Sequence, residues 1–199
     1  MSQTDYDRSE GQSEPPTRKV VGGYFLSLDG VAEAPDQFIT AWDDEVDASG
    51  AALIANQDTV ILGRRTYDEW VTFWPGSDIE PFASFINAVP KYVATSTPLE
   101  PAWAESQVIE GNVVELVRHL KSQPGGEIGV HGSISVARTL LGAGLLDELR
   151  LVIAPTVAAA GKRLLTDLSA MQLEVLRGTT SPSGYLLVDY RVLPPAAAA

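Results

Sequence analysis

Two short apolar runs in this chain, Asp58-Thr59-Val60-Ile61 and Glu127-Ile128-Gly129, end in glycine turns that open at once into helical patterns. The turns are Leu62-Gly63-Arg64-Arg65-Thr66, followed by Tyr67 onward, and Val130-His131-Gly132-Ser133-Ile134-Ser135, followed by Val136-Ala137-Arg138-Thr139-Leu140-Leu141. A strand that feeds a helix through glycine aims unpaired N–H groups and the positive end of the helix dipole at one point, which suits an anion. Two such points fit a ligand with several phosphates, such as a dinucleotide. The paired arginines match phosphate oxygens two-pronged and favour NADPH over NADH. A third polar strand end, Thr95-Ser96-Thr97-Pro98, follows Lys91-Tyr92-Val93-Ala94. In an open α/β sheet, ligands collect at the carboxyl ends of the strands.

The rest of the chain alternates in the same way. Lys19 to Leu28 is nearly continuously apolar, as a central buried strand is. Helices are expected over Val46–Asn56, with Ala51, Leu53, Ile54 and Ala55 inside, near 66–72, over Pro81–Ala88 and over 112–122; a small strand is expected at Val108-Ile109. Gly144 to Leu149 turns into the strand Arg150–Ala154. Met171–Thr179 and Tyr185–Val192 then alternate in period two around Ser181-Pro182-Ser183-Gly184, which marks a hairpin. The expected fold is α/β, a mostly parallel central sheet with helices on both faces and an antiparallel C-terminal hairpin. One domain over 19–193 is expected, between a disordered acidic leader (1–18) and a disordered tail (194–199).

Composition removes several function classes. A net charge of −12 without a basic stripe argues against nucleic acid and an anionic membrane surface as partners. There is no cysteine, hence no disulfide, thiol catalysis or cysteine-based zinc site. The two histidines, His119 and His131, make metal chemistry an unattractive reading; His131 sits in a glycine turn and is a candidate ligand contact. No apolar run reaches the length of a membrane span, and Met1 to Arg18 has no signal-peptide core, so the chain reads as cytoplasmic.

Phe25-Leu26-Ser27-Leu28-Asp29-Gly30, the Gly63-Arg64-Arg65-Thr66 turn, Gly132-Ser133 and Gly144-Leu145-Leu146-Asp147-Glu148-Leu149 together resemble the dihydrofolate-reductase-like superfamily. The branch most resembled is the reductase domain of the bacterial riboflavin-biosynthesis deaminase–reductase and its stand-alone forms. Pro155 to Lys162 fits that branch as well. The resemblance implies an NADPH-dependent reductase acting on a small nitrogen heterocycle, a pterin or aminopyrimidine, working as a homodimer. It assigns the cofactor to Gly63, Arg64, Arg65, Thr66, Thr95, Ser96, His131, Gly132, Ser133, Ile134 and Ser135.

Asp29, at the end of the first strand in a loop that the family places over the nicotinamide, is the expected catalytic carboxylate. Ser27, Trp42, Tyr67 and Trp74 are expected at the substrate, the aromatics as stacking surfaces. Asp43, Asp44 and Glu45 fit helix capping better than catalysis. Val31 stands where riboflavin-pathway relatives place a lysine, and Ala48 to Gln57 holds no Lys or Arg, so the substrate need not carry a phosphate. The other reading open at this level is a non-catalytic nucleotide-binding or scaffold protein on the same fold.

Overall fold

A computed structural model describes residues 17–194. The bulk of the expected leader and of the tail lies outside the described residues. One eight-stranded sheet organises the chain in the order β4-β3-β2-β5-β1-β6-β8-β7. Its strands are β1 (Val20–Leu26), β2 (Gln57–Gly63), β3 (Lys91–Ala94), β4 (Ser106–Val108), β5 (Glu127–His131), β6 (Glu148–Ile153), β7 (Leu173–Thr180) and β8 (Leu186–Val192). Strands β1 to β6 pair in parallel, and β8 runs antiparallel to both β6 and β7. The expected architecture, parallel sheet plus C-terminal hairpin, is the one observed.

The helices are α1 (Asp44–Ile54), α2 (Arg64–Trp70), α3 (Phe82–Ala88), α4 (Val113–Lys121) and α5 (Ile134–Gly142). Strand alternation divides the core between the two faces. Ile61 of β2 joins the cluster built with Val117 and Leu120 of α4 and Val136 and Leu140 of α5, while its neighbours Val60 and Leu62 join Tyr67 and Ile86 of α2 and α3. Helix α1 starts two residues before the expected Val46 because the Asp43 carboxylate caps it, accepting from the N–H groups of Glu45 and Val46. Of its expected inward residues, Ile54 is buried, Ala51 and Leu53 are half-buried, and Ala55 is exposed.

Two buried cations brace the sheet. Arg18, assigned to the leader by sequence, is instead buried: it pairs with Asp58, donates to Thr59 Oγ1 at 2.9 Å and, through Nε, to Gly126 O at 2.7 Å. Lys91 is fully buried at the start of β3. Its ammonium donates to the carbonyls of Ile86 and Val89, each at 2.8 Å, which closes the C-terminal end of α3, and lies 4.8 Å from the Trp103 ring centroid.

Burial pushes the Lys91 ammonium down to about 8. The unfolded chain, with lysine near its usual 10.5, binds the proton more tightly, so native stability rises with pH between about 8 and 10. Urea denaturation across that window is expected to show this rise, and Lys91→Met to flatten it; an unchanged slope in the variant would discount the lysine.

Candidate active site

The carboxyl ends of the parallel strands open into a cleft of about 1240 Å³, floored by β1, β5 and β6 and walled by α1 on one side and by α2 and the approach to α3 on the other. Parallel pairing of Ile61 with Val130 brings β2 and β5 to a common level, so the two glycine turns meet. They interlock reciprocally. A Cβ on Gly63 would overlap the Ser133 side chain, lying 2.7 Å from its Cβ; one on Gly132 would lie 2.5 Å from Thr66 Cγ2. Gly132 also has φ +80°, which an L side chain rarely adopts. Ser133 caps α5, its Oγ accepting from Val136 N–H at 3.3 Å, and stands 3.2 Å from Ser135 Oγ.

Gly63, Arg64, Arg65, Thr66, His131, Gly132, Ser133, Ile134 and Ser135 all line this cleft. Thr95 and Ser96 stand just outside the lining, beside Arg64. Arg64 Nη1 donates to Thr97 Oγ1 at 2.5 Å and to Pro98 O at 2.8 Å, and Thr97 Oγ1 is 3.1 Å from Thr95 Oγ1. The arginines are not bare charges. Arg64 Nε donates to both carboxylate oxygens of Asp68, at 2.8 and 2.9 Å, and Arg65 bridges Glu33 at 2.6 Å and Glu69 at 3.0 Å. The Arg65 contact holds the Glu33 carboxyl below its ordinary range.

The His131 side chain turns away from the Gly132-Ser133 turn. Its ring lies back over Gly129, where no side chain intervenes, with Nε2 2.7 Å from Gln57 Oε1. Trp70, Phe82 and Phe85 surround it. Trp70, Trp74 and Phe82 pack edge-on or tilted within 6 Å of one another and form the aromatic wall of the cleft. Trp42, half-exposed, faces the cleft with its ring 5.5 Å from Phe25, and its indole N–H donates to Asp47.

Three expected substrate or catalytic residues lie elsewhere. Tyr67, on α2, is fully buried against Trp103, its hydroxyl donating to Pro101 O at 2.8 Å. Ser27 is buried, donating to Asp29 Oδ1 at 2.7 Å and accepting from Val31 N–H at 3.0 Å. Asp29 itself is outside the cleft lining. Its carboxylate accepts from Ser27 Oγ and from the N–H groups of Ala158 and Ala159, and pairs with Arg163 at 3.2 Å. The Ser27 hydroxyl is the main reason its carboxyl sits below the usual range. Through these contacts Asp29 straps the 155–163 segment to the end of β1. Val31 is likewise core, 1 % exposed.

Sequence reasoning missed the α1 wall: Asp47, Ser49, Gly50 and Ala51 all line the cleft. Gly50 was the available signal, since a glycine inside a helix costs about 1 kcal/mol against alanine and has no neighbour within 4 Å to explain it. Among the described residues, no three His, Asp or Glu side chains gather in a way that would hold a metal, and no helix is long and apolar enough to cross a membrane.

Comparison with known proteins places the chain in a family. The family model described as the RibD C-terminal domain matches residues 18–187. The chain belongs to the RibD C-terminal domain family. Protein YyaP of Bacillus subtilis strain 168 is 27% identical over 180 residues, 87% of this chain and 94% of that protein. A putative riboflavin biosynthesis protein from Shewanella sp. PV-4 superposes with a TM-score of 0.73 at 18% identity, over 88% of this chain and 99% of that one. A pyrimidine reductase-like protein from Corynebacterium diphtheriae gives 0.66 at 16%, over 89% and 92%. The deaminase/reductase of Thermotoga maritima gives 0.62 at 16%, this chain covering 57% of it. These solved structures share the RibD C-terminal fold with this chain.

Two outcomes follow from the geometry. Gly132→Ala is expected to cost about 1–2 kcal/mol from backbone conformation alone, before the Thr66 overlap, read as a lower urea midpoint. Burial pushes the His131 imidazole down to about 4. The unfolded histidine gains its proton near 6.5, so the contribution of this imidazole to stability is whole above that pH and falls by about 3 kcal/mol toward pH 4. His131→Gln should remove most of that acid-side loss; an unchanged acid limb would assign it to other groups.

Proposed function

We propose that this protein is an NADPH-dependent reductase that delivers hydride to a small nitrogen heterocycle, of the pterin or aminopyrimidine kind, bound in the same cleft. The observation that carries the reading is the interlocked pair of glycine turns at the carboxyl ends of β2 and β5, a cradle that a single Cβ at either glycine would fill. The family of the chain and the names of its structural neighbours, a pyrimidine reductase-like protein and a deaminase/reductase, support it.

The residues fit a dinucleotide phosphate. The first turn of α5 presents backbone N–H groups that Ser133 does not cap, with the dipole behind them. Ser133 and Ser135 add hydroxyls, and Arg64 joins its guanidinium to the Thr95–Thr97 hydroxyl cluster at the end of β3, a setting for a further phosphate on the ribose. When bound there, NADPH would supply hydride for the reduction of a C=N or C=O bond, with the proton taken from solvent. The protein holds the reacting rings together and keeps the floor apolar: Phe25, Val152 and the neutral His131 line it.

Thermal melting with NADPH, NADH or neither tests the assignment. Ligand at a hundred times its Kd adds about 2.7 kcal/mol, a rise of roughly 5–10 °C in Tm for a chain of this size. A rise with NADPH well above that with NADH is expected; equal curves with and without cofactor would end the reductase reading. Asp29→Asn is expected to lower Tm while leaving the NADPH-induced rise intact. Loss of that rise would return Asp29 to the site.

A further inference from the structure

In the sheet, β5 lies between β2 and β1. A contact between a residue just past β2 and one in the loop after β1 therefore spans the end of β5, about two strand spacings or roughly 10 Å. The Arg65–Glu33 ion pair is such a contact. Arg65, in the first turn of α2, places Nη1 2.6 Å from Oε1 of Glu33, in the loop between β1 and α1. Both residues line the cleft, and the pair bars it beside the Gly132-Ser133 turn and the start of α5.

The Glu33 carboxylate has a second set of partners on the 155–163 segment. Its Oε2 accepts from the Lys162 N–H at 3.1 Å, and Lys162 Nζ stands 3.7 Å from Oε1, the oxygen that Arg65 holds. Backbone bonds fix this side of the arrangement, since the N–H groups of Ala32 and Glu33 both donate to Lys162 O, at 2.9 and 3.3 Å. Lys162 thus stays beside Glu33 whichever way the carboxylate turns. Arg65 is held to it by side chains alone and is 64% exposed. A diphosphate carries more charge than a carboxylate and suits a guanidinium equally well, and it meets the Glu33 charge as a like charge at short range.

Resting on the reading that cofactor phosphates sit at the start of α5, we propose that Glu33 is a built-in competitor for the cofactor. In the free protein its carboxylate holds Arg65 across the phosphate site; the incoming diphosphate takes Arg65, and the carboxylate turns to Lys162. Glu33 and Lys162 then set cofactor affinity without touching the cofactor, because the observed affinity is the intrinsic one reduced by the fraction of molecules in which Arg65 is released.

Calorimetric titration of the full chain with NADP⁺ tests this on Glu33→Gln, Lys162→Met and the double variant. Glu33→Gln keeps the length of the side chain and an acceptor for the Lys162 N–H, and is expected to bind NADP⁺ about threefold tighter or better. Lys162→Met removes the carboxylate's other partner. It is expected to bind about threefold weaker, yet to change little in the Glu33→Gln background. Unchanged or weaker binding by Glu33→Gln overturns the proposal. So does an equal loss from Lys162→Met in both backgrounds, which makes the lysine itself a phosphate ligand. The Tm response to NADPH, read on the same proteins, keeps the reductase reading separate: where wild type and Glu33→Gln both respond, either contrary result removes the competitor alone. A response in Glu33→Gln only supports both readings, and no response in either protein removes both.

Discussion

The mutual fit of two turns, Gly63 against Ser133 and Gly132 against Thr66, is the contact on which the rest of the site depends. It sets how closely α2 and α5 approach over the ends of adjacent parallel strands, and thereby where their first turns point. It rests on register: Val60 opposite Gly129 and Ile61 opposite Val130 level the two strand ends. A slip of one residue would turn every side chain of β2 to the other face, driving Val60 and Leu62 out of the α2–α3 core. The hydrophobic pattern of β2 therefore fixes the geometry of a polar site to which its side chains contribute nothing directly.

Around that contact the acidic chain uses its few cations as structural fasteners. Arg18 ties the entry of β1 to Asp58, and Arg163 ties the 155–163 segment to Asp29. Arg150 and Lys19 neutralise Glu148 inside the sheet face, which is why that buried carboxyl stays below its ordinary range despite desolvation. With the basic residues so committed, the cleft shows mostly aromatic and apolar surface.

Much of this was legible from sequence because the signals were local. Strand and helix positions followed from periodicity and glycine punctuation, and the nine residues of the two turns named for the cofactor all reach one cleft. What failed was long-range. Nothing near Asp29 in sequence announces the Ala158 and Ala159 N–H groups and Arg163 that immobilise it. Tyr67 and Ser27 carry the right chemistry at the right strand ends but turn into the core, since helix phase and a hydroxyl-capped turn decide the direction. Arg18 looks like part of a polar leader until its partners, Asp58 and Gly126, are brought to it by the fold.

The place of β1 in the sheet has a consequence for synthesis. It is synthesised before every other strand of this sheet, yet both its neighbours, β5 and β6, lie about a hundred residues or more downstream, with Val20 facing Ile128 and Val21 facing Glu148. At roughly 5–20 residues per second, an apolar segment that ends at the centre of the molecule waits on the order of 5–20 s for a partner. Nascent β1 is thus the stretch most exposed to chaperones and to wrong pairing, and the domain closes only when its second half arrives.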